Sequence, residues 1–293
     1  MTPSLIAVAG AGFMGSGIAE SLAVAGRDVL LYEPEQAPLD LAQENITRSV
    51  ATATARGKLD VPSANEVLER IHFTTRIEDL APADGAIEAV IEDVLVKRGL
   101  FVRLDAIVTE AQFLASNTSS IPIAELAAAT TRPERVLGLH FFSPVPVMKL
   151  VEVVVGLDTS ADALASAEQL IAQIGKQAIR TKDRSGFIVN MLLVPYLMAA
   201  VRMYEDRFAT REDIDAGMQL GCGHPMGPLT LCDFIGLDVL YAVCNSLYEE
   251  YKRDEYAPPP LMKRMVASGR LGRKSGRGFY DYGEVRSPVG ASG

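Results

Sequence analysis

The sequence predicts an α/β protein in which a doubly wound parallel sheet comes first and an all-helical domain follows. Three observations carry this. In the first half, short apolar runs alternate with helix-like stretches, the rhythm of a parallel sheet covered by helices on both faces. One of those runs ends in a glycine-rich turn that leads directly into a helical pattern. Beyond residue 184, strand signals nearly vanish and long helical patterns take over.

Residues 5–10 are apolar and end in glycine, a buried-strand signal. Residues 14–25 read as a helix stopped by Gly26. Residues 29–33 form the second strand, and 37–54 and 63–70 read as helices with polar faces. Strands follow at 86–91, 113–116, 136–140 and 149–155, then a helix at 161–175. A polar break at 182–186 separates a first domain, 1–183, from a second, 184–293. In the second, residues 187–205, 211–221, 230–251 and 261–268 read as helices. Residues 284–293, rich in Gly, Ser and Pro, read as a loose tail.

A chain of 293 residues with 48% hydrophobic and 22% charged side chains has an ordinary globular composition. Its net charge of -9 opposes nucleic acid and anionic membrane surfaces as partners. No apolar run approaches the ~18 residues that span a bilayer. The start at residue 5 is short and lacks a basic flank, so no targeting segment is expected. Cys222, Cys232 and Cys244 form no C-x-x-C pair, and their odd number argues for a reduced, cytoplasmic setting. No metal is expected.

Gly10-Ala11-Gly12-Phe13-Met14-Gly15 is a G-x-G-x-x-G between a strand and a helix, the context that a dinucleotide-binding turn requires. Gly10 permits the turn, Gly12 lets a pyrophosphate approach the backbone, and Gly15 lets helix and strand pack closely. Phe13 and Met14 lie within the turn and count with it as cofactor contacts. The helix N-terminus offers N–H groups to phosphate. Glu33, at the end of the second strand, can accept both ribose hydroxyls and would repel a 2′-phosphate. No arginine follows it, so NAD is expected over NADP.

Of three histidines, His72 and His224 read as structural. His140 ends an apolar run, where parallel-strand active sites lie. A lone histidine there is also a common structural residue. Oxidising an alcohol needs a base near neutral pH, which imidazole supplies. Glu152, an acid inside an apolar strand, is costly unless paired, which makes it a candidate partner for His140. Residues 116–120 (SNTSS) follow a strand and can hold a hydroxyl or a thioester carbonyl; they also read as a turn and helix cap, with Pro122 in the first helical turn. Asn190 sits in an apolar helix, where a buried amide needs partners.

Together these segments resemble the 3-hydroxyacyl-CoA dehydrogenases, especially bacterial short-chain members acting on 3-hydroxybutyryl-CoA. The resemblance runs from Leu5 to Tyr282 and is carried by GAGFMGSG (10–17), IEAVIEDVLVKRGLF (87–101), ASNTSSI (115–121), GLHFFSPVPVMKLVE (138–152), GFIVNMLLVPYL (186–197), HPMG (224–227) and GRKSGRGFY (272–280). It implies a Rossmann-like domain and a helical domain through which two subunits form a homodimer. It makes His140 the catalytic acid/base and Glu152 its partner. It gives Ser119 and Asn190 the substrate oxygen, and it puts Glu92, Lys97 and Asn117 beside the nicotinamide.

Three features depart from the family pattern. Ser143 and Met191 stand where Asn and Arg are usual. Residues 49–55 carry no basic side chain, so only Arg48, Arg56 and Lys58 are at hand for the CoA phosphates. An acyl carrier protein therefore stands as an alternative to CoA as the thioester carrier, with the same chemistry serving polyketide extender-unit supply. A β-hydroxyacid dehydrogenase acting on free acids is disfavoured, because its catalytic lysine position holds Leu193. A non-catalytic NAD-binding relative is disfavoured by the presence of both His140 and Glu152.

Overall fold

Five short strands at β1 (Leu5–Ala9), β2 (Asp28–Tyr32), β3 (Ile71–Thr74), β4 (Gly85–Glu88) and β5 (Leu114–Ser116) pair in parallel with one another and with β6 (Val136–Phe141). With β7 (Leu150–Val155) and β8 (Gln177–Lys182) they make one eight-stranded sheet, in the order β3-β2-β1-β4-β5-β6-β7-β8. This computed structural model describes residues 3–283, with backbone alone at residues 61–63. The tail expected at 284–293 lies outside the described residues. The chain divides into two units, Met1–Phe187 and Ile188–Gly293.

In the first unit, alternate residues of β1 serve opposite faces of the sheet. Ile6 and Val8 pack into one buried cluster with Ile18 and Leu22 of α1 (Phe13–Val24), Ile46 of α2 (Gln36–Ala55) and Val67 of α3 (Val61–Glu69). Ala7 and Ala9 face another cluster with Phe101 and Leu104 of α4 (Val94–Ile107) and Leu126 of α5 (Ile123–Ala127). Because both faces are covered, the strand reads as an unbroken apolar run rather than an alternating one. Helix α6 (Ala161–Gln173) adds Leu170 to the first cluster.

Two sheet features correct the sequence reading. β7 runs antiparallel to β6, because the connection between them is too short to hold a crossover helix. β8, parallel to β7, was not expected. Its sequence QAIRTK is polar and its side chains are half-exposed or exposed, so this edge strand gives no apolar run.

The second unit is helical among its described residues: α7 (Val189–Glu205), α8 (Arg211–Cys222), α9 (Pro228–Ile235), α10 (Leu237–Tyr251) and α11 (Pro260–Ala267). Leu197, Leu229, Leu240, Cys244 and Met262 lie at its core. The single helix expected over 230–251 is instead α9 and α10, bent by 97° at Gly236, whose φ of +100° suits glycine. Two carboxylates tie the unit together. Asp215 accepts the Leu229 and Thr230 backbone N–H groups, and Asp233 accepts those of Phe279 and Tyr280. No single helix among the described residues is long and apolar enough to cross a membrane.

Candidate active site

The glycine-rich turn is shaped by what cannot fit there. Gly10 has φ +109°, and a Cβ on it would lie 2.6 Å from the Ala89 carbonyl oxygen. A Cβ on Gly15 would lie 1.8 Å from the Gly10 carbonyl oxygen. Gly12 opens onto free space, with nothing within 4 Å of its would-be Cβ. No side chain caps the start of α1, so its first N–H groups remain available to a phosphate. Glu33 reaches back so that one carboxylate oxygen accepts the Ala11 N–H at 3.0 Å. Phe13 is exposed and Met14 half-buried beside this turn. An open glycine, an uncapped helix and a carboxylate at the end of β2 fit a dinucleotide carrying a free ribose 2′-hydroxyl.

The strand ends next to this turn hold an ionic network that is buried at Glu88 and Lys97 and exposed at Glu92. Lys97, 1% exposed, donates to Glu88 Oε1 at 2.6 Å and lies 3.2 Å from Glu92 Oε2. The other Glu88 oxygen accepts the Ser116 hydroxyl at 2.6 Å. Glu92 Oε1 accepts the Thr118 hydroxyl at 2.6 Å, the Ser119 N–H at 3.0 Å and the Ser120 hydroxyl at 3.0 Å. Burial alone would raise the Glu92 carboxyl, but Lys97 and these three donors outweigh it and hold it below the ordinary glutamate range. The network thus fixes the loop after β5 against the loop after β4.

His140 and Glu152 are register partners on the antiparallel pair β6 and β7. His140 Nδ1 lies 2.7 Å from Glu152 Oε2, and Glu152 is fully buried. The rings of Phe142 and Phe187 pack at 4.6 and 5.4 Å from the imidazole and limit its tilt. Asn117 links this pair to the ionic network: its Oδ1 accepts the Phe141 N–H at 2.9 Å, and its own N–H donates to the Glu88 carbonyl at 2.8 Å. The nucleotide turn, the polar loop and the base therefore lie at the carboxyl ends of β1, β5 and β6, with the base's carboxylate opposite it on the antiparallel β7.

The other expected residues lie elsewhere. Arg56 and Lys58 line a cleft of about 580 Å³ beside α1 and α2, together with Arg48 and Val147. Asn190 belongs to the first turn of α7 in the second unit, half-buried rather than buried as the apolar pattern suggested. His72 is exposed on β3, and His224 Nδ1 meets the Tyr196 hydroxyl at 3.1 Å. The cap of α5 also differs from expectation. Asp183, not the serine-rich run, accepts the Ile123 and Ala124 N–H groups, and Pro122 stands at the N-cap rather than inside the first turn.

Glu88 was missed. It ends an apolar strand nine residues before a lysine, and the pairing argument applied to Glu152 would have singled it out. The packing of Phe142 on His140 had only its nearness in sequence as a signal, and that of Phe187, which follows β8, had none.

A family model described as the NAD-binding domain of 3-hydroxyacyl-CoA dehydrogenase matches residues 5–184, and one for the C-terminal domain of the same enzymes matches residues 186–282. A 3-hydroxybutyryl-CoA dehydrogenase of Mycobacterium tuberculosis is 50% identical over 279 residues, covering 94% of this chain and 98% of the relative. The crystal structure of M. tuberculosis FadB2 superposes with a TM-score of 0.95 at 49% identity, covering 97% of this chain and all of that one. That of (S)-3-hydroxybutyryl-CoA dehydrogenase PaaH1 from Ralstonia eutropha gives 0.92 at 42% identity, with the same coverage.

Proposed function

Because the chain belongs to the 3-hydroxyacyl-CoA dehydrogenase family, we propose that it interconverts a short 3-hydroxyacyl-CoA, 3-hydroxybutyryl-CoA, and the 3-ketoacyl-CoA, with NAD as cofactor. The observation that carries the reading is the 2.7 Å contact between His140 Nδ1 and Glu152 Oε2. It leaves Nε2 to exchange a proton with the substrate hydroxyl, and it places a buried carboxylate where imidazolium forms. When bound, NAD supplies the acceptor for the hydride from C3.

His140 removes the hydroxyl proton at Nε2, and Glu152 keeps the ring oriented and offsets its charge. Ser119 and Asn190 hold the substrate oxygens, and Glu92 keeps the Ser119 loop in place. The glycine turn at Gly10, Gly12 and Gly15, with Phe13, Met14 and Glu33, binds the adenosine half of the cofactor. Lys97, Glu92 and Asn117 line its nicotinamide end. Arg56 and Lys58 take the CoA phosphates. The gathering of Arg48, Arg56 and Lys58 in one cleft favours CoA over a carrier protein as the thioester handle. The relatives' names favour a four-carbon acyl group. The division into a nucleotide-binding and a helical domain, a homodimer formed through the latter and a cytoplasmic setting complete the reading.

The deciding experiment follows NADH oxidation with acetoacetyl-CoA, with NADPH run in parallel. Rapid turnover with NADH alone is the expected result. Folded protein that binds NADH yet turns over no acetoacetyl-CoA would overturn the CoA-ester reading.

A further inference from the structure

The cleft beside α1 and α2 contains an acid as well as its three cations. Glu20, on α1, lines it with Arg48, Arg56 and Lys58 and is 5% exposed. Its Oε1 accepts the Ser49 hydroxyl at 2.7 Å. Burial pushes its carboxyl above the ordinary glutamate range, and the Ser49 bond offsets this only in part; no cation among the described residues contributes. The charged groups sharing the cleft are Arg48 of α2 and Arg56 and Lys58 of the turn after it, while the loop at Pro146 and Val147 adds none. An acid kept beside three cations without pairing with them is costly for a cleft that only needs to attract anions.

We propose that Glu20 couples binding of the phosphorylated tail of the substrate to uptake of one proton. This deepens the reading above and rests on the substrate being a CoA thioester. As carboxylate, Glu20 repels a phosphate drawn in by Arg48, Arg56 and Lys58. A proton taken from solvent settles on Oε2, since Oε1 already holds the Ser49 hydrogen. The resulting O–H donates to a phosphate oxygen, so the group that opposed the anion becomes a donor to it. Affinity for the phosphorylated tail then falls as pH rises, and the fall ends once the pH exceeds the value at which bound Glu20 ionises. The substrate's own phosphates titrate in wild type and variant alike, so the comparison between the two isolates Glu20.

The test compares wild type with Glu20→Gln, which keeps a donor and loses the titration. Calorimetry of free CoA binding in two buffers of different ionisation enthalpy reads the proton uptake. Near pH 7, wild type is expected to take up a larger fraction of a proton than the variant. At pH 8.5 the KM for acetoacetyl-CoA is expected to be roughly fivefold higher in wild type than in the variant, a partly screened like-charge penalty, and the ratio shrinks toward one at pH 6. NADH affinity, measured by fluorescence, checks that the fold of α1 is intact. Equal proton uptake by the two proteins overturns the proposal, as does a KM ratio that is flat with pH. The same pH-dependent ratio with acetoacetyl-pantetheine, which has no phosphate, also overturns it. Absence of turnover with both thioesters fails the reading beneath it, while the CoA calorimetry still decides on Glu20.

Discussion

His140 and Glu152 stand directly opposite each other across the antiparallel pair of β6 and β7, with Nδ1 2.7 Å from Oε2. The pairing is set by backbone register, so the histidine's orientation is built into the sheet rather than left to a loop. Replacing His140 with Ala is expected to lower turnover by roughly 10²–10⁴, the usual worth of general acid–base catalysis, with NADH binding nearly unchanged. Glu152→Gln keeps the shape and removes the charge, and a loss of about 10²-fold in turnover is expected. Rapid-mixing kinetics beside NADH titrations would decide. A collapse of NADH binding in His140→Ala would make this histidine a structural residue.

Glu92 collects three donors from the loop after β5 while facing Lys97, which on the proposed reading makes it the joint between the cofactor end and the substrate loop. Glu92→Gln removes the charge that holds these groups together. The expected result is a KM for acetoacetyl-CoA raised about tenfold, from weakened charged hydrogen bonds. NADH binding should weaken less. Values of both within twofold of wild type would show that the loop holds its shape without Glu92.

The sheet was legible in the sequence wherever its strands are buried on both faces. Residues such as Ile6, Val8, Leu137 and Leu139 leave an unbroken apolar signal that survives without any alignment. β8 was not, because an edge strand with half-exposed residues has no need of such a run. The direction of β7 is not written in the strand's own residues; its signal was the short connection after β6, which leaves no room for a crossover helix. In the site, Glu152 stood out because an acid in an apolar strand needs a partner. Glu88 makes the same claim, but its partner Lys97 lies on the following helix, and helix–strand proximity is not written in local spacing. The Asn117 side-chain oxygen accepts the Phe141 N–H and so joins the loop after β5 to β6, a link that no pattern of side chains announces.

One Glu33 oxygen accepts the Ala11 N–H, so the proposed ribose contact gives this side chain a second duty. Glu33→Ala removes both the turn's acceptor and the ribose's, and NADH affinity is expected to fall about 10- to 100-fold, the range for charge-assisted hydrogen bonds. Glu33→Gln retains an acceptor for Ala11 and should fall between. Both variants also lose the charge that opposes a 2′-phosphate, so the preference for NADH over NADPH narrows. Unchanged NADH affinity in Glu33→Ala would refute the ribose role.

Asp105, buried on α4, clamps the segment that leads into the histidine strand. Its carboxylate accepts the Thr131 N–H at 2.7 Å, the Thr131 hydroxyl at 2.6 Å and Arg132 Nε at 2.7 Å. Burial would raise the Asp105 carboxyl, but the Thr131 and Arg132 bonds outweigh it and hold the group below the ordinary aspartate value of 3.8. A carboxyl that is more acidic folded than unfolded stabilises the fold above the unfolded value, and that stability is lost as pH falls through the folded one. Asp105→Asn is therefore expected to cost roughly 2 kcal/mol at neutral pH, through weakened charged hydrogen bonds to a carboxylate that is itself buried. The gap between wild type and variant should close as the pH falls below about 4, the unfolded aspartate range. Thermal unfolding of both proteins between pH 7 and pH 3 measures that gap. A gap that stays constant across the range would show that Asp105 contributes shape alone, and that its charge has no part in anchoring the start of β6.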